Sequence, residues 1–209
     1  MTPEEEISLL GPAGKLEAIQ VAPAEHSTTI VIICHPHPLY GGTMNNKVVT
    51  TLARTFYEMN LWTLRFNFRG IGKSEGGYGE AVGEIEDLQA VLVWVKKQFP
   101  EYQIWLAGFS FGAYIAAQVA AKDQDIRQLI SIAPPVNHFN FQDTQTVSCP
   151  WLLIMGEEDE VVPVDEVKAW LKASKIPIQS IFLPNTTHFF HGKLIELKMA
   201  LKSGLNAPF

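Results

Sequence analysis

A serine, a base and an acid together can make an alcohol nucleophilic, and this 209-residue chain carries all three in suggestive places. Ser110 is the middle residue of Gly108-Phe109-Ser110-Phe111-Gly112. The apolar run Ile104-Trp105-Leu106-Ala107 precedes it, and after Gly112 no Pro or Gly interrupts a small-residue segment as far as Lys122. A strand that turns at once into a helix lifts its middle residue above the strand end on a strained backbone. Glycine is then needed at 108 and 112, where a Cβ would collide with neighbouring segments. Ser110 would sit at a helix N-terminus, where unpaired N–H groups and the helix dipole favour developing negative charge. Such a serine needs a base for its proton and a third group to orient that base.

Two histidines and four acids are available for those roles. His188 and His191 both lie in Pro184-Asn185-Thr186-Thr187-His188-Phe189-Phe190-His191, after the last apolar run. His188 comes first, at the start of a final helix, where its ring can point back over a sheet. His191, a turn later, suits a helix face or a supporting position. The acids follow an apolar run in Gly156-Glu157-Glu158-Asp159-Glu160-Val161-Val162-Pro163. Asp159, three residues past Gly156, falls where the loop turns before the next helix and is the expected orienter. Glu157, Glu158 and Glu160 read as a solvated acidic loop.

Other chemistry-bearing residues read differently. Cys34 ends a strand with no helix N-terminus to lower its pKa, so a buried thiol is expected. His35 and His37 alternate along His35-Pro36-His37-Pro38, but no third ligand with suitable spacing accompanies them and no metal is expected. Gly72-Lys73-Ser74 has the end of a phosphate-binding loop, yet the position five before Gly72 is Asn67 where glycine is required. Glycines 76, 77 and 79 also deny it an immediate helix. This loop should shape the rim beside the site, with Arg69 forming an ion pair.

The elements that must position these residues follow from pattern. Residues 6–10 and 15–22 read as a hairpin about the Gly11-Pro12-Ala13-Gly14 turn. The β-branched run 29–34 suits a strand buried on both faces. A helix over 44–59, a strand over 61–67, and an amphipathic helix over 82–98 follow, the last closed by Pro100. Then come the strand and helix around Ser110, strands at 126–133 and 151–156, a helix at 164–173, a strand at 178–183 and a helix at 188–201. Strands alternating with helices after a hairpin predict an α/β fold with a mostly parallel sheet and helices on both faces. In such sheets ligands bind beyond the carboxyl ends of the strands, where every candidate above falls.

Together these motifs are specific. The sequence resembles the α/β-hydrolases, and in particular small lidless bacterial serine hydrolases similar to dienelactone hydrolase. The matching residues run from His35-Pro36-His37-Pro38 through Arg69-Gly70-Ile71-Gly72-Lys73-Ser74, the Gly-Phe-Ser-Phe-Gly nucleophile elbow and Gly156 to Pro163, and on to His188-Phe189-Phe190-His191-Gly192. The resemblance implies a twisted sheet of about eight strands with an antiparallel N-terminal hairpin. It also implies a Ser110, Asp159, His188 triad, and the Phe111 amide as one oxyanion donor. The second donor should come from the loop after the 30–34 strand. Pro36 and Pro38 have no N–H; His37 aligns best and Leu39 is the alternative. Only residues 134–150 separate two strands where related enzymes insert a cap, so an open, shallow site is expected. His35, Tyr40, Phe109 and Phe139 are candidates to line it, with Phe111 and Phe141 beside them.

Composition limits the classes. One domain spanning residues 1–209 is expected, with no repeat or linker. The 47% hydrophobic and 18% charged content suits a globular core, and a net charge of −6 argues against nucleic-acid binding. No apolar run approaches the ~20 residues that cross a bilayer. The acidic start Met1-Thr2-Pro3-Glu4-Glu5-Glu6 lacks a secretory signal, and the two cysteines suggest reduced thiols, so a cytoplasmic enzyme is expected. The expected activity is hydrolysis of a small-molecule carboxylic ester or thioester through an acyl-enzyme, with no cofactor. The alternatives are a short-peptide hydrolase and a catalytically silent binding protein on the same fold.

Overall fold

Apolar residues on both sides of the run Thr29-Ile30-Val31-Ile32-Ile33-Cys34 send it to the middle of a sheet. In the computed structural model, which describes residues 4–206, all of it but Thr29 is buried. Eight strands form one sheet: β1 (Glu5–Gly11), β2 (Gly14–Val21), β3 (Thr29–Cys34), β4 (Trp62–Phe66), β5 (Gln103–Phe109), β6 (Ile126–Ile132), β7 (Trp151–Gly156) and β8 (Gln179–Leu183). Their order is β1-β2-β4-β3-β5-β6-β7-β8. Only the β1–β2 and β2–β4 pairings are antiparallel; the rest are parallel. The N-terminal hairpin is thus built onto the sheet through β2.

The alternation of each strand divides the core in two. Ile30, Ile32, Cys34 and Leu106 face one side with residues of α2 (Val82–Gln98) and α3 (Phe111–Ala120). Val31, Ile33, Ala107 and Phe109 face the other with α1 (Lys47–Glu58) and α5 (Leu194–Asn206). The remaining helix, α4 (Val164–Ala173), sets Val167 against Leu153 and Met155 of β7. Helix starts are locally specified. Asn46 Oδ1 accepts the Val48 N–H at 2.8 Å, and Glu84 accepts the Gly79 and Ala81 amides at 2.9 Å each, closing α2 on the chain before it.

The strand order reverses beside β3: the chain goes from β3 outward to β4, then back across to β5. The carboxyl ends of β3 and β5 therefore diverge into loops on opposite sides, leaving a crevice above them. Between β6 and β7 the 134–150 segment holds a short 3-10 turn at Gln142–Thr146 and no helical cap. The final helix corrects the sequence reading. It starts at Leu194, because Phe190 and Gly192 have φ of 54° and 69° and break any helix from His188. Phe190 is fully buried, but a turn delivers it to the core, against Leu197 and Leu201.

Candidate active site

Ser110 follows β5 directly and has φ 52°, ψ −119°, a backbone conformation L residues rarely adopt. Its neighbours hold it there. The Ser110 N–H donates to the Ile132 carbonyl at 2.8 Å, and a Cβ on Gly108 would run into the Gly112 carbonyl. A Cβ on Gly112 would run into the carbonyls of Cys34 and His35. The start of α3 is thereby pressed against the end of β3, closer than any side chain permits.

His188 and Asp159 reach this serine from the two strands beyond. Gly156, ending β7, lies flat against the Thr186 backbone, and the Glu158 N–H donates to the Thr186 carbonyl at 3.0 Å. These contacts lock the loop after β7 to the loop after β8. Asp159 Oδ1 accepts the Val161 and Val162 amides at 2.9 and 2.7 Å, leaving Oδ2 to face His188 Nδ1 at 2.8 Å. His188 Nε2 stands 3.1 Å from Ser110 Oγ. The three groups, far apart in sequence, form one unbroken hydrogen-bonded chain. Ser110, Asp159 and His188 are 9%, 8% and 2% exposed, and the Asp159 and His188 side chains only 0% and 3%, so the acid and the base are screened from water. With Nδ1–H donating to the carboxylate, Nε2 is free to accept the hydroxyl proton.

Sequence reading missed two contributors here. Glu160, assigned to a solvated loop, accepts the His188 N–H at 3.0 Å and pins the backbone under the ring. No spacing signal marks it among four adjacent acids. Tyr78, in a glycine-rich loop, meets His37 Nε2 through its hydroxyl at 3.2 Å. An aromatic flanked by glycines at a strand exit is the one hint it carries. His191 is exposed and stacks on Phe189, away from the Ser110 hydrogen-bonded chain.

The loop after β3 is a rigid turn. The Tyr40 and Gly42 amides donate to the His37 carbonyl at 3.1 and 3.0 Å, and Gly42 packs against the Pro36 carbonyl. The Leu39 N–H donates to His37 Nδ1 at 3.2 Å and is engaged there. The His37 ring lies 4.8 Å from that of Phe111, and partial burial lowers its pKa. Neither the His37 nor the Phe111 amide has an acceptor among the described residues.

Two of the expected lining residues do not line a cleft. His35 is fully buried: its Nδ1–H donates to the Pro36 carbonyl at 2.6 Å, and its Nε2 accepts the Phe68 N–H at 3.0 Å. Both ring nitrogens are occupied, and burial pushes its pKa down to about 4. Phe109 is also fully buried, on the strand face opposite α3, with its ring 5.2 Å from that of His188. It backs the imidazole and is closed to substrate. Phe141 is core as well, against Tyr114 and Trp170. Tyr40 stands exposed at the rim, and Phe139 is half-buried, stacked on Tyr114 at 4.6 Å.

The remaining candidates are structural. Burial raises the Cys34 thiol far above its ordinary value and the Cys149 thiol to about 11, so both are protonated and unreactive at neutral pH. In the glycine-rich loop, Ser74 Oγ donates to the Asn67 carbonyl and accepts the Glu17 N–H, while Lys73 pairs with Glu6. Arg69 forms a bidentate pair with fully buried Asp87. These contacts fasten the loop to β1, β2 and α2 and leave no cradle for phosphate. Among the described residues, no three His, Cys, Asp or Glu side chains gather as a metal site.

Comparison with known proteins places the chain in a family and a fold. Residues 25–140 match the family model described as serine aminopeptidase, S33. The chain is similar to an α/β serine hydrolase homologue from Coxiella burnetii, at 50% identity over 97% of this chain and 98% of that one, with TM-score 0.92. It is similar at 40% identity to an α/β serine hydrolase without a lid from Xanthomonas campestris, covering 100% and 98%, again with TM-score 0.92. An uncharacterised Rickettsia prowazekii protein is 34% identical over 93% of this chain and 86% of its own length. The chain thus belongs to the serine aminopeptidase S33 family, as a lidless serine hydrolase of the α/β-hydrolase fold.

Proposed function

We propose that this hydrolase cleaves small carboxylic esters or thioesters through an acyl-enzyme on Ser110. The observation that carries the reading is the Ser110–His188–Asp159 chain, at 3.1 and 2.8 Å, above the carboxyl ends of β5, β7 and β8. His188 Nε2 takes the Ser110 proton as Oγ attacks the substrate carbonyl carbon. Negative charge collects on the former carbonyl oxygen, where the Phe111 and His37 amides donate to it. His37 is the better second donor than Leu39, whose N–H is already bonded to the His37 ring. The imidazolium then gives its proton to the departing alcohol or thiol as the carbon–leaving-group bond breaks. Water, deprotonated by the same nitrogen, attacks the acyl-enzyme and releases the acid. Throughout, Asp159 fixes the tautomer and stabilises the transient positive charge.

The family description favours a second reading, removal of residues from short peptides by the same three groups. Esters and thioesters rank first because their carbonyl carbon is less stabilised by resonance than that of an amide and is attacked more readily. Turnover of p-nitrophenyl acetate, an acyl thioester and an aminoacyl p-nitroanilide distinguishes the two readings. Faster hydrolysis of the anilide would replace the ester assignment. A fluorophosphonate probe should label wild type and spare Ser110→Ala. Near-wild-type ester turnover by Ser110→Ala would falsify the mechanism, and a folded wild type that resists both probe and substrates would mark a binding protein.

A further inference from the structure

On the α1 face of the sheet, α1 packs beside β4 and borders its edge toward β2. A groove of about 700 Å³ runs there, lined by Val21, Arg54, Tyr57, Thr63 and Arg65, with Glu4 at its end. We propose that this groove is a binding site for a small phosphate monoester, and that Glu4 is its internal, displaceable occupant. It stands apart from Ser110 and does not rest on the reaction proposed above.

The argument starts from Arg65. A guanidinium is costly to bury unless its N–H groups are matched by acceptors. Arg65 is 6% exposed, yet its carboxylate partner Glu4 has a side chain 50% exposed and lies just before the edge strand. Glu4 accepts from both terminal nitrogens at 3.0–3.1 Å. The Nε–H, equally hidden from water, has no acceptor among the described residues. A phosphate dianion brings three oxygens, enough to take over both terminal nitrogens from Glu4 and still offer one to a second cation. Charge points the same way. Arg54, exposed on α1, lines the same groove and has no ion-pair partner among the described residues, so two cations face one anion. The volume far exceeds one phosphate and falls within the range of small-molecule sites. Val21 and the Tyr57 ring provide an apolar wall for the body of the ligand.

The test is calorimetric titration of the full chain with inorganic phosphate and with phenyl phosphate, against sodium chloride at equal ionic strength. Wild type should bind both, phenyl phosphate more tightly. Glu4→Gln, which removes the competing charge, should bind each about tenfold more tightly. Arg54→Ala, a surface change that leaves the core intact, should weaken binding about tenfold, as expected for one lost charged contact. Ser110→Ala should leave binding unchanged, which separates this groove from the crevice above the sheet. Arg65→Gln risks the fold, so the Arg65 Nε–H resonance in ¹H–¹⁵N spectra serves instead and should shift on titration. Lack of binding by Glu4→Gln at millimolar phosphate, affinity indifferent to Glu4 and Arg54, or a stationary Arg65 resonance would each overturn the site.

Discussion

Asp159 splits its two oxygens between two tasks: Oδ1 anchors its own loop through the Val161 and Val162 amides, and Oδ2 faces the imidazole. Asparagine in its place keeps the anchor only if its oxygen stays on the amides. The NH2 group must then donate to His188 Nδ1, which forces the proton onto Nε2 and leaves no base for Ser110. Asp159→Asn should therefore fold normally and lose about four orders of magnitude in kcat, the scale seen when a triad carboxylate is neutralised elsewhere. Steady-state kinetics beside a thermal melt would check it; a loss explained by unfolding would not count. Ser110→Ala should cost about a millionfold in kcat with little change in Tm. At this scale the sequence was only half legible. Ser110 stood out by its flanks and Asp159 by its place three residues past Gly156, whereas nothing among the adjacent acids marks Glu160 as the acceptor of the His188 amide. That choice is made by the tilt of the loop against Thr186, a contact between segments some thirty residues apart.

Strands and helices were largely readable because each carries one dominant pattern: the continuous apolar runs of β3 and β7, and the Val82–Gln98 periodicity of α2. The misreading was α5, where the adjacent aromatic pair Phe189-Phe190 imitates a helix face although two left-handed residues intervene before Leu194. Two other side chains were misplaced: Phe109, alternating with Ala107, points into the core on the α1 and α5 side, and His35, just past β3, is held inside by the Pro36 carbonyl and the Phe68 amide. The turn between β5 and α3 makes the sharpest prediction at this scale. A methyl group at Gly112 meets backbone carbonyls of Cys34 and His35, which cannot swing away as a side chain would. Gly112→Ala should push α3 off β3, destabilising the protein by about 1–3 kcal/mol, as overpacking does. Because the Phe111 amide moves with the helix, kcat should fall by about a hundredfold, the cost of a misplacement near 1 Å. Gly77→Ala, where a Cβ meets open space, is the matched control and should change neither Tm nor kcat.

For the molecule as a whole, acid stability turns on His35, which ties the exit of β3 to that of β4 where the strand order reverses. Its folded-state pKa of about 4 lies below the ordinary histidine value of 6.5, so the unfolded chain binds a proton that the folded one refuses. The stabilisation is complete above about pH 6.5, declines as pH falls from there, and is spent near the folded pKa. Linkage puts the loss at about 2–3 kcal/mol between about pH 7.5 and 4.5, or roughly 5–10 °C in Tm for a chain of this size. Carboxylates such as Glu58 and Asp125, held low by their bonded lysines, keep their contribution to lower pH and do not obscure this window. His37, lowered by partial burial, adds in the same direction. The discriminating comparison is with His35→Gln. A glutamine oxygen can still accept the Phe68 amide, but it cannot titrate. The variant should start less stable at neutral pH and follow a flatter denaturant-midpoint profile, approaching wild type at the acid end. Parallel profiles for the two proteins would mean that the acid sensitivity arises at some other group.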